Sequence, residues 1–283
     1  MIRIVDSTNY PEVHGHRGCR GLLPENTVPA FLRALELGVD TLELDVVISA
    51  DEQVIVSHEP WLSAALCLDA SGQPIPLARE KDFNLFQLPY DYIRRCDCGL
   101  QRQLRFPEQQ LQPAYKPLLR EVFQAVEKRT QELTRSLVHY SIEVKSTAGE
   151  DHIFHPTPAR FVELVIGEVQ AAGVMSRTAI ISFDKRALQA VHQQAPALTL
   201  GLLVEDAKPF HEHLQELGFI PALYGPEFPL VDAQLMAEVR AYSMRLVPWT
   251  VNEIADMHRL LALGVDGITT DYPNRLLQIL QRS

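Results

Sequence analysis

Short β-rich runs alternate with amphipathic helical stretches along most of a 283-residue chain, and this predicts an α/β fold: a (β/α)8 TIM barrel with an insertion after an early barrel strand. Strand and helix in alternation require a parallel sheet with crossover helices. So many repeats of the unit at this length favour a closed barrel over an open sheet. A hydrophobic content of 46% can bury a sizeable core and excludes a disordered chain. The chain reads as a single domain, 1–283, with residues 59–117 inserted into it.

The expected strands are Val13–Arg17, Thr41–Val47, Val54–His58, Val138–Val144, Thr178–Ser182, Leu198–Val204, Phe219–Tyr224, Arg245–Trp249 and Gly267–Thr270. Helices are expected at Thr27–Leu37, Leu118–Arg129, Pro158–Ala171, Lys185–Gln194, Pro209–Leu217, Asp232–Tyr242, Val251–Leu263 and Asn274–Gln281. Asn26 is a candidate N-cap for the first helix, with Pro29 in its opening turn, and Gly38 closes it where a left-handed backbone is cheap. The candidate strands outnumber the barrel's places by one. Phe219–Tyr224, broken by Pro221, is expected to be the one outside. Glu59–Pro117 carries prolines at 60, 74, 76, 89, 107, 113 and 117 and the polar tract QRQLRFPEQQLQP, which is too long for an ordinary barrel loop. It is expected to cover one end of the barrel and shape access to it.

With 26 basic and 36 acidic side chains the net charge is −10, which argues against the broad basic footprint of a nucleic-acid binder but permits a local phosphate site. No apolar run reaches the length of a membrane span, and the first residues lack a signal-peptide core. Cys19, Cys67, Cys96 and Cys98 are too few for a disulfide framework, so reduced cysteines and a cytoplasmic location are expected.

Polar residues gather at strand ends that a packed barrel would reject. In LELDV the two-residue period puts Glu43 and Asp45 on one face and Leu42, Leu44 and Val46 on the other. Glu143 and Lys145 share a face in SIEVK. Two buried carboxylates on one strand repel each other, so something cationic should hold them together. Carboxylates from two strands suit a hard cation such as Mg2+ or Ca2+, with Mn2+ as a further candidate, although each alone also fits a salt-bridged strand end. His16 and His58 follow strands at the rim where barrel active sites collect, and histidine exchanges protons near neutral pH. Arg17 could fork around a phosphate, and Lys145 could act as a point charge. Trp249 and Phe183 could floor a pocket, with core filling an equally weighted role. Asn252, Thr269 and Asp271 cluster around the last strands. Walker, dinucleotide and serine-elbow signatures are absent, leaving a metal as the expected cofactor.

These residues resemble the glycerophosphodiester phosphodiesterase family. The resemblance rests on GHRG at 15–18, PENT at 24–27 followed by AF, G-x-D-x-x-E-L-D-V from Gly38 to Val46, Val56-x-His58, IEVK at 142–145, SF at 182–183, WTVN at 249–252 and DGITTDYP at 266–273, in the family's order across almost the whole chain. It implies a (β/α)8 barrel with an insertion after the second histidine. It also implies metal carboxylates Glu43, Asp45 and Glu143, catalytic His16 and His58, and substrate contacts from Arg17, Lys145, Phe183 and Trp249. The implied reaction is hydrolysis of a small-molecule phosphodiester such as glycerophosphocholine or glycerophosphoethanolamine to sn-glycerol 3-phosphate and an alcohol. Two departures stand out: His58-Glu59 replaces the usual His-Asp, and Pro117-Leu118-Leu119 replaces a P-T-L run. Alternatives are lysophospholipase D-type hydrolysis, with Leu62, Leu66, Leu68, Phe83, Leu85 and Phe86 as an acyl path or as core, and a non-catalytic phosphometabolite-binding barrel.

Overall fold

The structure, a computed structural model, describes residues 11–282; the segment 1–10, on which the expectation of no leader rests, lies outside them. Its strands are β1 (Glu12–Gly15), β2 (Thr41–Ile48), β3 (Val54–Val56), β4 (His139–Val144), β5 (Thr178–Ser182), β6 (Thr199–Val204), β7 (Leu223–Pro226), β8 (Arg245–Leu246) and β9 (Gly267–Thr270). The helices are α1 (Val28–Leu37), α2 (Tyr90–Ile93), α3 (Leu119–Glu132), α4 (Pro158–Ala171), α5 (Lys185–Gln194), α6 (Phe210–Leu217), α7 (Ala233–Ala241), α8 (Ile254–Leu263) and α9 (Pro273–Ile279). Parallel pairing runs β8-β7-β6-β5-β4-β2-β1-β9. The seam between β8 and β9 is closed by backbone bonds from Asp266 to Leu246 (3.0 Å), Thr269 to Pro248 (3.0 Å) and Val251 to Thr269 (2.9 Å). The expected (β/α)8 barrel is therefore the observed one. Among the described residues, no helix is long and apolar enough to cross a membrane.

The ninth strand is not the one expected. Leu223–Pro226 takes a barrel place, beginning two residues after Pro221, whereas β3 pairs antiparallel with β2 through Val46 and Val56. Only five residues, Ser49–Gln53, separate β2 from β3, and a parallel return needs a crossover of a dozen or more. The chain instead overshoots the rim on β2, turns with Glu52 at φ 57°, and comes back beside Asp45, whose carbonyl accepts from Ser57 N–H at 3.0 Å. His58 thus reaches the mouth from a hairpin, not from the end of a barrel strand.

Side-chain alternation decides what faces the helices. Leu42, Leu44 and Val46 point outward into a core with Phe31 and Leu35 of α1 and Phe123 and Val126 of α3. The insertion builds its own smaller cluster from Leu62, Cys67, Ile75, Leu85, Tyr90, Ile93, Cys96 and Cys98 against Val47, Ile55 and Leu118. There Cys67 and Cys98 form a disulfide, which corrects the expectation of four reduced thiols: the insertion folds back on itself and brings residues 31 apart in sequence together. Cys19 and Cys96 are free and buried.

Helix ends follow local chemistry. Thr27, not Asn26, caps α1, its hydroxyl accepting from Ala30 N–H at 3.4 Å, while Asn26 adopts φ 56° and turns its amide inward. Gly38 closes the helix in the left-handed region as expected (φ 104°). Leu118 at the start of α3 has no capping oxygen, and Glu121 reaches back to its N–H at 3.0 Å instead.

The loop after β1 packs tightly against α1. Gly18 holds φ 86°, and a Cβ there would lie 2.7 Å from the Ala30 carbonyl carbon and 2.9 Å from its oxygen. Backbone cannot yield as a flexible side chain would, so Gly18→Ala combines left-handed strain with overpacking. It should lower unfolding stability by roughly 2 kcal/mol or more. A denaturation midpoint equal to the parent's would contradict this packing.

Candidate active site

Parallel barrel geometry sends alternate side chains of each strand into the lumen, and the upper positions converge on a cavity of about 1020 Å³. His16, Arg17, Glu43, His58, Glu143, Lys145, Phe183 and Trp249 all line it. Asp45 lies immediately behind, fully buried, with its backbone register matched to Glu143. Glu43, Asp45 and Glu143 each offer an oxygen, and these oxygens lie within 4.8 Å of one another.

Such a cluster needs positive charge, and the surroundings provide it unequally. Asp45 Oδ2 sits 3.1 Å from Arg17 Nε and accepts from Asn26 Nδ2 at 2.8 Å. Lys145 Nζ donates to Glu143 Oε1 at 2.6 Å and stands 3.9 Å from Asp45 Oδ1. Arg17 N–H donates to Glu43 Oε2 at 2.8 Å. Burial raises the Asp45 carboxyl, but the charges of Arg17, His58 and Lys145 outweigh it and hold the group well below the usual carboxylate range. Glu43 goes the other way: burial, then repulsion from Asp45 and Glu143, pushes it well above. Burial also raises Glu143, with Lys145 opposing.

Asp45 Oδ1 is buried and makes no hydrogen bond. An orphaned carboxylate oxygen beside a glutamate that resists ionisation is what a site for a hard cation looks like, and the three carboxylates can hold a divalent metal.

Two carboxylate–imidazole pairs flank the cluster. His16 Nδ1 is 2.6 Å from Asp271 Oδ1; because a carboxylate only accepts, the ring proton is on Nδ1 and Nε2 is a free acceptor, 3.9 Å from Glu43. Asp271 also accepts from Arg20 Nε (2.8 Å) and Asn252 Nδ2 (2.8 Å). Burial works to raise Asp271, yet His16 and Arg20 keep it far below the carboxylate range. Burial first, then the Arg20 charge, lowers His16 to about 4, against the pull of Asp271. His58 Nδ1 lies 2.7 Å from Glu59 Oε1, so the glutamate that follows it in the chain folds back to hold its ring.

Arg17 is committed to the protein: Nη1 donates to Glu25 at 2.6 Å, and Glu25 is also 3.7 Å from Arg20. Sequence reasoning placed Asn252 and Asp271 near the rim without roles and missed Arg20, Glu25 and Asn26. Asp271 had a signal, since the period of GITTD aligns it with Thr269 on the inner face. Glu25 and Asn26 were marked only by the PENT motif, and no periodicity gives their contacts, because their approach depends on positive-φ turns at Arg17 (49°) and Asn26 (56°).

The far wall is apolar. Trp249 Nε1 donates to the Gly225 carbonyl at 2.7 Å, and its ring meets Phe183 edge-on at 5.3 Å. Ile181, Leu203, Leu223 and Val247 face the lumen and stand apart from the packed core. Gly201 lets Ile181 and Leu223 lie against the wall, and Gly225 does the same for Leu203, which keeps the axis open. Glu12 closes the floor, bonded to His14 (3.0 Å) and Arg245 (2.8 Å). Leu62, Leu66, Phe83 and Leu85 pack in the insertion cluster and Phe86 on the barrel core; neither these nor Leu68 line the cavity.

A barrel carrying a carboxylate triad and two carboxylate-paired imidazoles at its mouth has the parts of a hydrolytic site. Residues 16–275 match the profile of the glycerophosphoryl diester phosphodiesterase family, and the chain belongs to that family. It is 30% identical over 272 residues to a glycerophosphodiester phosphodiesterase of Caldanaerobacter subterraneus subsp. tengcongensis, covering 95% of this chain and 98% of the relative. A lysophospholipase D of Homo sapiens is 26% identical, over 94% of this chain and 84% of that one. Among solved structures, a Silicibacter pomeroyi protein put forward as a glycerophosphoryl diester phosphodiesterase superposes with TM-score 0.84 at 31% identity, covering 96% and 94% of the two chains.

Saturating Mg2+, Ca2+ or Mn2+ should raise the thermal midpoint of metal-stripped protein, since a cation at a hundred times its Kd adds about 2.7 kcal/mol. Glu43→Gln should remove most of that rise. A parental rise in the variant would reject the triad as the site.

Proposed function

We propose that this chain is a metal-dependent hydrolase of glycerophosphodiesters, releasing sn-glycerol 3-phosphate and an alcohol such as choline or ethanolamine. The observation that carries the proposal is two differently paired histidines on one cavity with Glu43, Glu143, Arg17 and Lys145, with Asp45 immediately behind. Glu43, Asp45 and Glu143 would hold a divalent cation, which would supply Lewis-acid charge for a phosphate that gains negative character as it reacts. Arg17 and Lys145 add fixed positive charge on the same side.

His16 is assigned as the base. Its Nδ1 is fixed by Asp271 and its low proton affinity leaves Nε2 unprotonated at neutral pH, able to take a proton from water or from the glycerol 2-hydroxyl. His58 is assigned as the acid: Glu59 holds its Nδ1 and orients the ring, and Nε2 delivers a proton to the departing alcohol oxygen. If the 2-hydroxyl attacks, a cyclic phosphodiester forms first, and water then opens it with the two histidines exchanging roles. Trp249 and Phe183 offer apolar faces for the carbon skeleton.

Lysophospholipids are a second reading, favoured by the apolar wall of Ile181, Leu203, Leu223 and Val247, which offers an acyl chain a path within the lumen. Turnover of lysophosphatidylcholine beside glycerophosphocholine decides between them.

Metal-stripped protein should release glycerol 3-phosphate from glycerophosphocholine only after a divalent cation is restored. His16→Ala and His58→Ala should each lower kcat by roughly 10²- to 10⁴-fold with a smaller change in KM. Parental turnover in both variants, or in stringent chelator, would refute the mechanism. Asp271→Asn should lower kcat in the same range by freeing the His16 tautomer; an unchanged kcat would show that the pairing is incidental.

A further inference from the structure

Lys116 is buried at the returning end of the insertion, and it lies behind the cavity wall without lining it. Its Nζ donates to Ser57 Oγ at 2.8 Å, and Ser57 Oγ in turn donates to the Glu59 carbonyl at 2.6 Å. His58 lies between these two residues, its ring held by the Glu59 side chain. Among the described residues, no carboxylate comes within the 4.0 Å of an ion pair with Lys116. Glu25, Glu59 and Asp45 attract it from farther away, while burial weakens its hold on a proton.

A buried ammonium with one hydrogen bond and no ion pair is an expensive way to fill space, and an apolar side chain of the same length would cost the fold less. Its neighbours fix where it sits. Val56 N–H donates to the Pro117 carbonyl at 2.8 Å, and the Tyr90 hydroxyl lies 3.3 Å from the Lys116 carbonyl. The donor is therefore anchored through the two carbonyls that follow its Cα and donates to the turn that carries His58.

We infer that Lys116 is a positioning residue: acting through Ser57, it holds the Ser57–Glu59 turn so that the His58 ring points its free nitrogen at the leaving alcohol. The inference rests on the proposed role of His58 as acid. The step concerned is cleavage of the phosphorus–oxygen bond to the alcohol, whose oxygen takes its proton from His58 Nε2. An alcohol such as choline needs that proton, whereas p-nitrophenolate leaves without it.

The test compares kcat for glycerophosphocholine and for the p-nitrophenyl diester of glycerol 3-phosphate in the parent, Lys116→Met, Ser57→Ala and His58→Ala, each with its thermal midpoint. Lys116→Met and Ser57→Ala should lose roughly 10- to 100-fold on glycerophosphocholine and less than about 3-fold on the activated diester, with little change in KM. The midpoint of Lys116→Met should equal or exceed the parent's. Equal losses on both substrates, or parental turnover on glycerophosphocholine, would overturn the inference. If Lys116→Met does not fold, Ser57→Ala alone decides, because it removes the relay and leaves the lysine in place. Failure of His58→Ala to discriminate between the substrates would overturn the acid role and this inference together; discrimination by His58→Ala alone would overturn only this one.

Discussion

Three largely buried carboxylates on two neighbouring strands, each with an oxygen inside 4.8 Å of the others, are the constraint around which the barrel mouth is arranged. Nothing in a hydrophobic core tolerates that repulsion, so the chain surrounds it with Arg17, Lys145 and the Asn26 amide, and still leaves one oxygen of Asp45 unsatisfied. The tight backbone after β1 follows from the same demand. Arg17 and Asn26 accept left-handed conformations because only there do the Arg17 amide and the Asn26 side chain meet Glu43 and Asp45.

Surroundings also separate the two histidines. His16 is buried with Arg20 close by, and burial first, then that charge, disfavours its cation despite Asp271. His58 is more open, and its contact is a single glutamate on a hairpin turn. Two identical side chains thus meet one cavity from different surroundings, His16 buried against an aspartate and His58 half-exposed against a glutamate.

Much of this was legible in the sequence. The two-residue period of LELDV separated Glu43 and Asp45 from Leu42, Leu44 and Val46 onto opposite faces, which are the lumen and the core, and strand–helix alternation gave the barrel. The misreading of Val54–His58 as a barrel strand was avoidable, because the short spacing after Ile48 permits only a hairpin. The Arg17–Glu25 pair and the Lys116–Ser57 contact were beyond reach: they join residues through irregular turns whose dihedral angles follow no periodic rule. The disulfide belongs to the same group, since cysteine spacing says nothing about how an insertion folds back.

The insertion leaves the barrel after Val56 and returns at Pro117, and these two residues are hydrogen-bonded to each other. The ends of this long excursion are consequently joined by the barrel itself, whatever lies between. Doubling the length of a flexible loop with fixed ends costs only about 0.6 kcal/mol in closure entropy. Descent with modification can therefore lengthen, shorten or exchange the cover over the mouth at little thermodynamic penalty, provided the short stem that carries Ser57, His58 and Lys116 is kept, so that reaction chemistry and substrate access can diverge independently.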